Sequence, residues 1–121
     1  MQYMLLISEP RGQRAARTAE EGEAVYGQML DFAATLQAQG VLLAGESLLR
    51  DDQGVRVQVR GSGRDKQARL LDGPFSETKE MVGGFFLVDC ASMDDAVALA
   101  TRCPAAEWAT VEVRPLGPCF A

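Results

Sequence analysis

Gly83-Gly84-Phe85-Phe86-Leu87-Val88-Asp89-Cys90-Ala91-Ser92-Met93-Asp94-Asp95 is the stretch that decides the fold. Phe85 to Asp89 reads as a central strand, because an apolar run with an aromatic pair fills space on both faces of a sheet. Ser92 and Asp95 have capping-box spacing and open a short helix, with Met93, Ala96, Val97 and Ala100 expected inward and Pro104 closing it after Cys103. Trp108 to Pro115 then supplies a last strand, Val111 and Val113 on one face and Thr110, Glu112 and Arg114 on the other.

Upstream, Gln2 to Ser8 reads as a buried opening strand bounded by Glu9-Pro10 and Gly12. A polar, basic segment with Arg11, Arg14 and Arg17 follows. Thr18 with Glu21 repeats the capping-box spacing, Val25, Met29, Phe32 and Leu36 fall on one helical stripe, and Gly40 ends the helix. Val41 to Leu48 has the apolar content of a second strand. Val55 to Arg60 alternates strictly between valine and polar or charged residues, Gly61-Ser62-Gly63 turns the chain, and Lys66 to Leu71 returns as a polar hairpin partner.

The order strand, helix, strand, hairpin, strand, helix, strand predicts an α+β chain of ferredoxin-like β-α-β-β-α-β pattern with a hairpin inserted after the second strand. Its 121 residues suit one domain over 1–121. Two helices cover one sheet face only. The other face is expected to present residues such as Tyr3, Leu5, Val111 or Val113, and a bare apolar sheet surface is an association site, so a face-to-face homodimer is expected.

Twelve basic against seventeen acidic side chains give a net charge of −5, which disfavours nucleic acid and anionic membrane as partners. No apolar run approaches the roughly 20 residues of a membrane helix, and no secretory signal is evident, so cytoplasmic residence is the default expectation. Cys90, Cys103 and Cys119 lack metal-site or disulfide spacing, and histidine is absent, so no Ser-His-Asp or Cys-His arrangement can be built. No phosphate-loop or dinucleotide motif occurs at Gly83-Gly84, where close backbone approach or a bulge beside the Phe85 strand is the simpler reading; no cofactor and no metal are expected.

Between hairpin and central strand lies Asp72-Gly73-Pro74-Phe75, then Glu77-Thr78-Lys79-Glu80 and Gly83-Gly84-Phe85. This string resembles the signature of the YCII-related, DGPF-domain family. Gln2 to Ile7, Gly40-Val41-Leu42 to Gly45-Glu46 and Val111 to Pro115 are similar to that family as well. The resemblance implies a ferredoxin-like subunit forming a dimeric α/β barrel. It also implies kinship with small catabolic enzymes or with proteins encoded beside extracytoplasmic-function sigma factors, while the His-Asp pair of a related branch has no imidazole to build on here.

Two readings of the segment stand side by side. In one, Asp72 fixes the Gly73-Pro74 turn by accepting hydrogen bonds from nearby backbone N–H groups or from Thr78. In the other, the turn presents Asp72 at a pocket as a general acid or base, with Gly73, Pro74, Glu77, Thr78, Lys79 and Glu80 around a small-molecule ligand. Glu46 is a second candidate carboxylate, either an edge charge or an inward acid needing a partner. The function expected is therefore small-molecule binding in a cleft beside the sheet, with carboxylate acid/base chemistry; the alternative is a non-catalytic interaction protein whose partner is a sigma factor.

Overall fold

In a computed structural model that describes residues 1–120, alternation along the first strand organises the core. Strand β1 (Gln2–Pro10) buries Tyr3, Leu5, Ile7 and Glu9 on one face and leaves Met4, Leu6 and Ser8 half-buried on the other. It pairs antiparallel with β5 (Glu80–Asp89) and with β6 (Thr110–Pro115), and β5 pairs in turn with β2 (Leu42–Ser47). The resulting order β2-β5-β1-β6 is the ferredoxin-like one.

Helix α1 (Ala19–Ala38) begins on the reciprocal box foreseen at Thr18: the Glu21 N–H donates to Thr18 Oγ1, and the Thr18 N–H donates to the Glu21 carboxylate, each at 3.1 Å. Helix α2 (Met93–Arg102) begins at Ser92, whose hydroxyl accepts from the Asp95 N–H. Both helices pack on the Tyr3–Leu5–Ile7 face, where Phe32, Leu36, Phe86, Val88, Ala96, Leu99 and Cys103 close the core. Phe32 meets Phe86 edge-to-face, ring centroids 5.4 Å apart. Burial pushes the Cys103 thiol pKa up.

Several expectations change. The open sheet face is not that of Tyr3 and Leu5, which the helices cover; it carries Met4, Leu6, Phe85 and Leu87, because Met4 pairs with Leu87 and Leu6 with Phe85. Helix α2 buries Ala96, Leu99 and Ala100 and leaves Met93 and Val97 exposed, a rotation set by packing on the sheet. Strand β5 starts at Glu80 instead of Phe85, since the ladder with β1 reaches Pro10. The last strand starts at Thr110, because a short 3-10 turn occupies Pro104–Glu107.

Two irregularities shape the sheet. The β1–β5 register steps from Ile7–Gly84 to Ser8–Val82, leaving Gly83 as the extra residue of a bulge. The β2–β5 register steps from Leu42–Val88 to Ala44–Leu87, leaving Leu43 unpaired on an edge strand.

These elements form one compact unit, Met1–Leu48 with Glu80–Ala121; Leu49–Lys79 forms another. The second unit is the hairpin of β3 (Val55–Arg60) and β4 (Gln67–Asp72) with its flanking turns. Gly73 presses against the backbone of the preceding turn: a Cβ there would fall 1.7 Å from the Asp51 carbonyl oxygen, which excludes every side chain. Its N–H donates to Gly54 O at 2.9 Å, and the Gly73–Pro74 peptide is cis. The capping expected of Asp72 falls to Asp51, whose carboxylate accepts from the Phe75 N–H at 3.2 Å. The Thr78 hydroxyl donates to Phe75 O at 2.9 Å. Phe75 is buried, with the Arg56 guanidinium 3.8 Å from its ring centroid, and Arg56 also pairs with Glu77 at 2.6 Å.

Candidate functional site

The buried phase of β1 continues one step too far for a simple core strand. After Tyr3, Leu5 and Ile7 comes Glu9, a carboxylate only 5% exposed. Such a group needs a partner, and the β1–α1 segment supplies it: Arg14 Nε lies 2.5 Å from Glu9 Oε1. The same guanidinium donates from Nη1 to Leu48 O at 2.8 Å and from Nη2 to Gly83 O at 3.3 Å. Arg14 thereby ties the β1–α1 loop to the end of β2 and to the bulge of β5, and each of its three nitrogens is committed.

The bulge makes room for this pair. A Cβ on Gly83 would lie 2.8 Å from Glu9 Cδ and 2.9 Å from Arg14 Nη2, so the carboxylate and guanidinium occupy the space a side chain would take.

Glu9 lies at the wall of a cavity of about 450 Å³ between the covered sheet face and α1, lined wholly by residues of this unit. The walls are mainly apolar: Ile7, Phe86, Val25, Met29, Leu30 and Trp108. Arg17 sits over the Trp108 ring, 5.7 Å from its centroid, a cation–π contact at the rim where Thr18 and Ser47 add hydroxyls. Trp108 is held from behind, since Gln13 Nε2 donates to its carbonyl at 2.7 Å. The arrangement can hold an apolar ring against Trp108 and Phe86 while offering one carboxylate as hydrogen-bond acceptor.

Of the residues singled out from the sequence, Glu46 contributes to this cavity's lining, while its register opposite Phe85 sets its side chain on the open sheet face. Glu80 stands at the start of β5 and accepts a hydrogen bond from the Ser8 hydroxyl at 2.8 Å. Asp72, Gly73, Pro74, Glu77, Thr78 and Lys79 all belong to the Leu49–Lys79 unit, where Thr78 bonds the Phe75 carbonyl, Glu77 pairs with Arg56, and Asp72 stands opposite Val55 in the hairpin ladder. Asp72, Glu77 and Lys79 are exposed there.

Glu9, Arg14, Arg17 and Trp108 were not singled out. The signal was present as an acid on the buried phase of a strand, followed by an arginine five residues later; ending the strand at Ser8 because of Pro10 hid it. Pro10 is accommodated as the last strand residue, paired with Glu80. Among the described residues no group of histidine, cysteine or carboxylate side chains is arranged to hold a metal ion, and no helix is long and apolar enough to cross a membrane.

Comparison with known proteins adds three findings. An uncharacterised protein of Rhizobium meliloti (strain 1021) is 51% identical over 49 residues, a match covering 39% of this chain and 40% of that relative's length. Among solved structures, 5-chloro-2-hydroxyhydroquinone dehydrochlorinase (TftG) from Burkholderia phenoliruptrix AC1100, in complex with 2,5-dihydroxybenzoquinone, aligns with a TM-score of 0.56. That alignment covers 97% of this chain and 94% of the other at 16% identity, a likeness of fold. The profile of the YCII-related domain matches residues 1–119, and by that near-complete match the chain belongs to the YCII-related domain family.

Proposed function

We propose that this protein binds a small, mainly apolar ring compound bearing a hydroxyl group in the cavity beneath α1, and that Glu9 accepts the hydroxyl proton. The observation that carries the reading is the buried Glu9 carboxylate, fixed by Arg14 at the wall of an apolar cavity. A pocket of about 450 Å³ lies within the range of small-ligand sites. An apolar void of about 150 Å³ already holds benzene, so a substituted ring has room. The carboxylate then gives direction to what would otherwise be nonspecific apolar binding. The complex of the TftG structure with 2,5-dihydroxybenzoquinone supports a hydroxylated ring as the ligand class.

The proton step is simple in its balance. The ligand O–H bond breaks, Glu9 gains the proton, and the ligand becomes a phenolate-type anion beside Arg14 and Arg17. The same carboxyl can return the proton elsewhere on the ring, an acid/base cycle that needs no further reactant.

The experiment uses Trp108, the single tryptophan of the chain, as its reporter. Titration with phenol and hydroquinone is expected to change its fluorescence saturably, whereas p-xylene binds more weakly. Glu9→Gln is expected to weaken the hydroxylated ligands about tenfold while leaving p-xylene unchanged, since a hydrogen bond to a charged group contributes about 1.5–3 kcal/mol. Gly22 lines the cavity and a Cβ there would meet nothing within 4 Å, so Gly22→Leu is expected to keep the fold and block every ligand. No saturable response from any ring compound, or an unchanged response in Gly22→Leu, rejects the reading.

A further inference from the structure

Among the described residues, the charged ones that line the cavity beneath α1 are Glu9, Arg14, Arg17 and Glu46. Glu9 and Arg14 neutralise one another, and the remaining nitrogens of Arg14 are bound to the Leu48 and Gly83 carbonyls. The Glu46 side chain stands on the open sheet face, by its register opposite Phe85. What is left on the cavity side is the cation of Arg17. The pocket thus holds a local positive charge within a chain whose net charge is −5.

Arg17 is half-buried, and among the described residues it forms no ion pair or hydrogen bond; its contact is with the face of the Trp108 ring. A ring face attracts the cation but supplies no oxygen acceptor, so the N–H donors of the guanidinium are left over. The neighbouring acids do not claim them. Glu21 feels the field of Arg17, yet its carboxylate accepts from the Thr18 N–H in the helix cap. Glu20 and Glu23 are exposed and lie outside the cavity lining. A planar guanidinium with free N–H edges matches a carboxylate, which it can hold by two parallel hydrogen bonds.

Resting on the reading of this cavity as a site for hydroxylated rings, we infer that its ligand is an aromatic hydroxy acid, whose hydroxyl points inward to Glu9 and whose carboxylate pairs with Arg17 at the rim. Charge fixes which group goes where. A carboxylate set against Glu9 would meet a like charge, with Arg14 already committed, whereas at Arg17 it meets the uncompensated cation. The apolar walls between the two take the ring itself, with Trp108 both lining the cavity and carrying Arg17.

Isothermal titration calorimetry of the full chain with phenol, meta-hydroxybenzoate, para-hydroxybenzoate and methyl para-hydroxybenzoate tests this, because substitutions at Arg17 would disturb the fluorescence of Trp108. At least one of the two hydroxybenzoates is expected to bind about tenfold more tightly than phenol, and the uncharged ester only as tightly as phenol does. Arg17→Gln is expected to abolish that advantage and leave the phenol dissociation constant unchanged, which a collapsed pocket would not do. Glu9→Gln instead weakens phenol and the hydroxybenzoates alike. Hydroxybenzoates that bind no better than phenol, or an advantage that persists in Arg17→Gln, overturn this inference and leave the binding of hydroxylated rings standing. No binding of any of these compounds overturns both.

Discussion

A methyl group at position 83 has nowhere to go, because the Glu9 carboxylate and the Arg14 guanidinium already stand within 3 Å of where it would be. Gly83→Ala is therefore expected to force this pair apart, at a cost of about 1–3 kcal/mol typical of overpacking. The matching observation is a lower thermal midpoint together with weaker phenol binding reported by Trp108; a midpoint and affinity both unchanged would show that the bulge relaxes freely. At this scale the sequence was only half legible. A glycine pair beside a strand pointed to close backbone approach or a bulge, but nothing local said which side chains would fill the space, since Glu9 and Arg14 reach position 83 only through the pairing of β1 with β5. Conversely, the conspicuous Asp72-Gly73-Pro74-Phe75 string drew the eye to chemistry, while its glycine answers to steric exclusion by Asp51.

Elements were easier to read where their signals are local. The cap of α1 is one: backbone and hydroxyl hydrogen bonds from Thr18 hold the Glu21 carboxyl below the usual carboxylate range. A depressed folded value means the contribution is complete above the ordinary value near 4.5 and fades as pH falls through the lower folded one. Thr18→Ala is expected to cost about 1 kcal/mol near neutral pH. The difference in midpoint between this variant and the parent chain should shrink below pH 4.5, which thermal melts in a pH series would measure. The strict alternation of Val55–Arg60 gave the strand and its limits directly. The phase of α2 and the start of β5 were not legible in the same way, because Val97 competes with Leu99 for the core on almost equal terms and the sheet decides between them.

For the molecule as a whole, the order of elements was enough to assign the ferredoxin-like pattern and the inserted hairpin. Which face of the sheet the helices cover was not, since both phases of β1 are apolar and only packing distinguishes Leu5 from Leu6. The cavity is likewise a product of assembly, drawn from β1, α1, β2, β5 and the turn at Trp108. Stability is expected to be uneven across the chain: hydrogen exchange read by mass spectrometry should find amides of Val55–Arg60 and Gln67–Asp72 exchanging faster than those of β1 and β5. Equal protection in the two regions would contradict this ordering.

The unpaired Leu43 has a bearing on how the folded chain behaves in a crowd. A flat outer strand is a template on which foreign chains can stack into fibrils. The extra residue in β2 twists that margin out of regular spacing, and on the opposite margin β6 ends in Pro115, with Glu112 and Arg114 between. Each flank of the sheet thus carries its own stop against runaway growth.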